Sequence, residues 1–203
     1  MKPIDLYEYD RDNYYCYPGT NILRNKLNIT DEAELSTAER RITAIRSMEL
    51  IKEPLTGRMD FTMLKRIHLF LFGDIYEWAG RPRVVNISKG TYFCRFEFIE
   101  MQMKDVMQHL AGERYLLGTD RKKMAERLAY YIGEINAVHP FREGNGRSQR
   151  EFIRMLAARN GYWLDFMKID ADDMLEASKQ TFRQEYGLMT ELLYQALEEK
   201  IKS

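Results

Sequence analysis

The stretch that most constrains the fold runs from Met124 to Val138. Met124, Leu128, Tyr131, Ile132, Ile135 and Val138 recur at i+3/i+4 spacing. A stripe that wide and that apolar suits only a helix buried among other helices. Pro140 ends it, because proline lacks an N–H and pushes the preceding residue out of the helical region. The five prolines (Pro3, Pro18, Pro54, Pro82 and Pro140) leave long stretches free for further helices. Thr30, followed by Asp31 and Glu32, reads as an N-cap with acids on the helix dipole. That helix would run to about Ile51, before Pro54. Phe61, Leu64, Ile67, His68, Phe72 and Ile75 share one helical face, predicting a second helix from near Asp60 to Trp78-Ala79-Gly80. A third is expected over 97–115. Thr119-Asp120 opens the central helix, and another follows from Arg147 to Asn160-Gly161. Asp172–Arg183 and Leu188–Ile201 complete the set.

Two segments break the helical period. Residues 1–29, with the turn Tyr17-Pro18-Gly19-Thr20, read as an irregular arm with one short helix at Asn21–Leu27. Over 84–96, β-formers flank Ser88-Lys89-Gly90, so a short β-hairpin is expected. An isolated hairpin is marginal and must lean on the helical body. The expected fold is therefore mostly α (all-α in class), a single domain over 1–203 with one small hairpin.

Composition narrows the function. Of 203 residues, 45% are hydrophobic and 31% charged, as in a globular chain. Lys+Arg and Asp+Glu both number 31, and a zero balance argues against a chain built to coat nucleic acid or an anionic membrane. No apolar run is long enough to span a bilayer. Cys16 and Cys94 are too few for a disulfide framework or a zinc site. The opening Met1-Lys2-Pro3-Ile4-Asp5 has no apolar signal region, so the cytoplasm is the expected compartment. His68 and His109 lack metal-ligand spacing and read as packing or surface residues.

Chemistry concentrates in His139-Pro140-Phe141-Arg142-Glu143-Gly144-Asn145-Gly146-Arg147-Ser148-Gln149-Arg150. Gly144-Asn145-Gly146, just ahead of a helix, can turn several backbone N–H groups towards one anion. The helix N-terminus adds unpaired donors and a positive dipole end. Arg147 and Arg150 share a helix face, where two cations are unfavourable unless an anion sits between them. Glu143 supplies the single carboxylate that Mg²⁺ takes beside phosphates. His139 offers a neutral imidazole near pH 7. Taken singly, each residue has a commoner role in capping, turning or solvation. Their conjunction within one loop points to nucleotidyl or phosphoryl transfer.

The segment His139–Arg150 resembles the full Fic-family motif, His-x-Phe-x-Asp/Glu-Gly-Asn-Gly-Arg-x-x-Arg, at every fixed position. The resemblance extends to His68, Phe72, Asp74, Ile75 and Trp78-Ala79-Gly80, and to Asn160-Gly161-Tyr162-Trp163-Leu164-Asp165. Tyr17-Pro18-Gly19 and Arg24-Asn25-Lys26-Leu27 are similar to the start of stand-alone bacterial Fic toxins. The resemblance implies the Fic fold, a helical bundle around a motif-bearing helix pair with a hairpin flap. It implies transfer of AMP from ATP to a Ser, Thr or Tyr hydroxyl of a target protein. His139 would be the base, and Glu143 would hold Mg²⁺. Gly144, Asn145 and Gly146 would cradle the α/β-phosphates, with Asn145 stabilising transition-state charge. Arg147 and Arg150 would take the β- and γ-phosphates.

The flap, through Ile87, Ser88, Thr91 and Tyr92, would dock the target as an added strand, with Lys89 and Gly90 over the nucleotide. Tyr162 and Trp163 are candidates for the adenosine pocket or for core filling. The family's inhibitory pattern, Ser/Thr-x-x-x-Glu-Gly/Asn, is incomplete at Thr30/Glu34 and Thr181/Glu185. A small antitoxin supplying that Glu in trans to Arg150 is therefore expected, the alternative being a degenerate self-inhibitory helix within the chain. Stand-alone toxins of this kind suggest a topoisomerase such as DNA gyrase as target. The alternatives are transfer of another phosphate-containing group and a silent binding module.

Overall fold

The structure is a computed structural model that describes residues 14–90 and 92–199. Most of the first half of the expected arm and Thr91 lie outside the described residues. Seven helices appear among them: α1 (Glu32–Lys52), α2 (Phe61–Phe72), α3 (Ile99–Gly112), α4 (Arg121–Val138), α5 (Asn145–Arg159), α6 (Ala171–Phe182) and α7 (Gly187–Ala196). α4 is the centre and packs on α3, α5, α6 and α7, while α2 packs on α1 and α5. The stripe predicted for α4 is buried along its length: Met124, Leu128, Tyr131 and Ile135 are each at 0% exposure. Burial of each such side chain contributes about 1.5–3 kcal/mol, so α4 anchors the loop that follows it.

Asp side chains start four of the helices. Asp31, Asp60, Asp120 and Asp170 accept from backbone N–H groups two or three residues on, at 2.8–3.0 Å. The α1 cap is thus Asp31, one residue after the expected Thr30. α2 is shorter than expected. It stops at Phe72, and a chain of turns carries residues 73–80, ending in Gly80 with φ 79°. α3 is trimmed to Ile99–Gly112 by 3-10 turns at Phe96–Phe98 and Arg114–Leu116, where Arg114, Tyr115 and Leu116 take left-handed φ.

Three expectations are corrected. The Asn21–Leu27 helix does not form. Tyr17 N donates to Ile22 O at 2.9 Å and Arg24 N to Tyr15 O at 2.8 Å. The Pro18-Gly19 turn folds the arm back as a β-bridge between Cys16 and Leu23. The flap is not a regular hairpin either: among the described residues a single bridge, Ser88 to Tyr92, joins its two limbs. The last helix ends early, at Ala196. Leu197–Glu199 (β2) then pairs antiparallel with Tyr162–Leu164 (β1). The apolar period of Leu188–Ile201 could not distinguish a full helix from a helix that turns into a strand. Cys16 and Cys94 form no disulfide among the described residues. No described helix is long and apolar enough to cross a membrane.

Candidate active site

His139 is the C-cap of α4. Its backbone is left-handed, φ 51° and ψ 62°, a conformation a non-glycine residue adopts only when its surroundings impose it. Its N–H closes the helix on Ile135 O at 2.9 Å. The ring stacks on Phe93 of the flap, with centroids 3.8 Å apart, and Nδ1 lies 3.3 Å from Asn136 O. With the proton on Nδ1, Nε2 carries the lone pair. Burial pushes the imidazole pKa down to about 3, with the Arg83 and Lys89 charges adding to the effect, so the ring is neutral at ordinary pH.

The loop from His139 to α5 is closed by Asn145. Its Oδ1 accepts from Phe141 N at 2.8 Å and its Nδ2 donates to Phe141 O at 2.7 Å. This side chain, expected to meet transition-state charge, is committed to the loop. What Asn145 leaves for a ligand is the second N–H of Nδ2 and its backbone N–H in the first turn of α5. That helix starts at Asn145, two residues before the expected Arg147, so the glycines flank a helix start instead of forming a free loop. Gly144 alone of the two has positive φ, +79°. A Cβ there would lie 2.3 Å from Phe72 Cζ, so the position excludes every side chain.

His68 holds the loop from below. Its Nε2 lies 2.9 Å from Glu143 O, and its Nδ1 accepts from Gly80 N at 2.8 Å. The ring is wholly buried and stacks on Phe72 and Phe141. Burial lowers its pKa to about 3, so Nε2–H is the donor to Glu143. The packing role expected of His68 is thus a specific one.

Glu143 points its carboxylate at the cleft. Oε1 accepts from Gly144 N at 2.8 Å and lies 3.5 Å from Arg147 Nη2. Burial, and then the Glu39 charge, raise its pKa above the usual carboxylate range. The Arg147 guanidinium lies over the Phe72 ring at 4.7 Å. Its Nη2 pairs with Glu39 and its Nη1 donates to Thr43 Oγ1 at 3.2 Å. Tyr76 OH donates to the other Glu39 oxygen. Arg150 is half-buried, and no carboxylate of the described residues lies within ion-pair distance of it. Burial and Arg147 disfavour its charge. Glu34 and Glu185, the two incomplete inhibitory positions, are exposed on the surface. A cleft of about 900 Å³ opens here, with Glu39, Tyr76, Glu143, Arg147 and Arg150 among its lining residues.

The flap residues separate. Lys89, Gly90 and Tyr92 are exposed, but Ile87 and Ser88 are buried at 1% and 5%. Ile87 and Ser88 therefore can serve a target only through backbone. Tyr162 is buried and donates to Thr119 O at 3.0 Å, which is core filling. His109 is exposed. Glu39, Arg83 and Phe93 escaped sequence reasoning. Only Glu39 left a trace there, as a polar residue at i+4 from Leu35 and i−4 from Thr43 on the buried face of α1.

The sequence matches the Fic/DOC family over residues 58–157. The protein adenylyltransferase VbhT of Bartonella schoenbuchensis is 41% identical over 186 residues, 91% of this chain and 39% of VbhT. The chain thus spans well under half of that relative's length. The probable protein adenylyltransferase Fic of Escherichia coli K12 is 41% identical over 166 residues, covering 81% of this chain and 82% of that one. This chain is a Fic protein. Its fold superposes on the Bartonella tribocorum BepC structure with bound AMPPNP at TM-score 0.87 and 26% identity, covering 94% of this chain and 98% of that one. A Bartonella quintana Fic domain with bound ADP gives 0.87 at 28% identity, covering 93% and 96%. In this Fic chain the family match ends within α5, so it includes the whole of His139–Arg150.

Proposed function

We propose that this Fic chain is a protein adenylyltransferase, moving AMP from ATP to a hydroxyl side chain of another protein. The observation that carries the reading is that Glu143, Arg147 and Arg150 line one cleft at the N-terminus of α5, with a neutral His139 at the start of the same loop. Relatives named as adenylyltransferases and structures with bound AMPPNP and ADP support it.

His139 Nε2 accepts the proton of the target hydroxyl as its oxygen attacks the α-phosphorus. The bond from the α-phosphorus to the bridging oxygen breaks, and pyrophosphate leaves. The first-turn N–H groups of α5 and its dipole receive α/β-phosphate oxygens. Arg147 and Arg150 hold the outer phosphates, which offset the repulsion between the two guanidiniums. A base with a pKa near 3 is weak. The negative triphosphate favours the imidazolium, so nucleotide binding raises that pKa towards a useful value.

Mg²⁺ fits the residues present. No group of three metal-ligating side chains occurs among the described residues, whereas Mg²⁺ at a nucleotide takes one or two carboxylates and completes its shell with phosphates and water. Glu143 would hold it, and when bound it would neutralise charge on the phosphates. The flap, with Lys89, Gly90 and Tyr92 exposed, would take the target segment as an added strand. Among the described residues no carboxylate pairs with Arg150, and an inhibitory Glu would come from a separate small antitoxin. A topoisomerase of the gyrase type as target and a cytoplasmic setting remain part of this proposal, resting on the family resemblance.

The test is incubation with α-labelled and γ-labelled ATP, Mg²⁺ and bacterial cell extract. Label passing to protein from the α position only is expected. Label from the γ position only would replace the reading with kinase-type chemistry.

A further inference from the structure

Arg83 is 1% exposed, and no carboxylate of the described residues lies within ion-pair distance of it. A buried cation of that kind is costly unless every donor is matched. Its partners are all carbonyls. Nε donates to His139 O at 2.9 Å, Nη1 to Val85 O at 2.6 Å, and Nη2 to Cys94 O and, at 3.3 Å, to Val138 O. Its own N–H donates to Pro140 O at 2.8 Å. Val138 and His139 end α4, where the dipole is negative, which explains why a lone cation is stable there. Val85 and Cys94 are the two feet of the flap. Nearby, Cys94 N donates to Ala137 O at 3.2 Å, and Phe96 N to Asn86 Oδ1 at 3.1 Å.

We propose that Arg83 is a positioning residue that clamps both feet of the flap to the end of α4, so that the docking edge and the His139 base are held as one unit. Among its described residues the flap has one β-bridge of its own, too little to hold its register unaided. His139 sits in a backbone conformation that needs external support, and the fork of Arg83 supplies support to both from a single planar group. Lysine, a point donor on a flexible stem, cannot span four carbonyls. The inference deepens the proposed function, since the roles of flap and base rest on it.

The test compares wild type, Arg83→Gln and Arg83→Lys by amide exchange and by NMR titration of the histidine rings. The expected result for Arg83→Gln is exchange at the Phe93 and Cys94 amides at least about tenfold faster, with Ile132 in mid-α4 unchanged. The His139 ring, which also faces Lys89, Asn136 O and Phe93, would titrate closer to the free value of about 6.5. Arg83→Lys keeps the charge and should still loosen the flap amides. It carries the test if Arg83→Gln does not fold. Equal acceleration at Ile132 would mean a general loss of stability and would overturn the clamp, as would unchanged flap exchange in either folded variant. Calorimetry of wild type with ATP and Mg²⁺ separates the two levels: absent affinity sinks the adenylyltransferase reading and leaves the clamp result standing.

Discussion

Gly144→Ala should damage both the fold and the nucleotide cradle, through one ring. Gly144 has φ +79°, where an L-residue costs about 1 kcal/mol more than glycine. The added methyl would lie 2.3, 2.4 and 2.9 Å from Phe72 Cζ, Cε2 and Cε1, well inside van der Waals contact. Phe72 is at 0% exposure and stacked on His68, so the ring moves only by disturbing the core. Overpacking of this kind costs about 1–3 kcal/mol. The sum is roughly 2–4 kcal/mol, or a melting temperature lower by roughly 4–16 °C at this chain length. Arg147 rests on the other end of the same contact, over the Phe72 ring. Displacing the ring displaces the guanidinium, and ATP affinity by calorimetry should fall by at least about tenfold. A double-mutant cycle with Phe72→Leu checks the cause, because the smaller side chain makes room for the methyl. The Ala substitution should then cost at least about 1 kcal/mol less than in wild type. Additive effects, or a Gly144→Ala single variant as stable as wild type, would refute the clash.

Further outcomes follow from the site. His139 stays neutral far below its usual pKa in the nucleotide-free chain, so kcat/KM for ATP, which reports the free enzyme, should lose less than about twofold between pH 7 and 5.5 through this group, where a histidine of pKa about 6.5 would lose close to tenfold. The same burial of His68 and His139 makes stability acid-sensitive. The unfolded chain takes up protons near pH 6.5 that the folded chain refuses until about pH 3. Denaturant titrations should show about 1.4 kcal/mol lost per pH unit for each ring below about 6. Glu39→Gln removes a carboxylate that competes with phosphate for Arg147; ATP affinity should rise severalfold while the melting temperature falls, and weaker binding would show that Glu39 positions the arginine instead. Asn145→Ala leaves Phe141 N and O without their side-chain partners. It should destabilise the loop by about 1–3 kcal/mol in denaturant melts even without nucleotide.

The helical bundle was legible because α4 carries its own boundaries: a capping Asp120, an unbroken apolar face, and a proline just past its end. The motif was legible because its residues are consecutive, so one loop brings them together whatever the rest of the chain does. Glu39 lies 108 residues from its partner Arg147, and nothing local marks that pairing. Arg83 looked like one of many arginines, since carbonyl partners leave no signature in a sequence. The flap misled for a related reason. β-Formers around a glycine predict a hairpin, but the feet of this one bond to Arg83 and α4 in place of each other. Residues 197–199 turned from helix to strand because β1 offered an edge, a tertiary effect that periodicity does not contain.

The most direct measurement is the intact mass of a protein substrate after incubation with this chain, ATP and Mg²⁺, beside the His139→Ala variant. A gain of one AMP per modified hydroxyl with wild type, and none with the folded variant, is the expected result. A gain of a single phosphate, or equal modification by His139→Ala, would contradict the assignment of the pocket and its base.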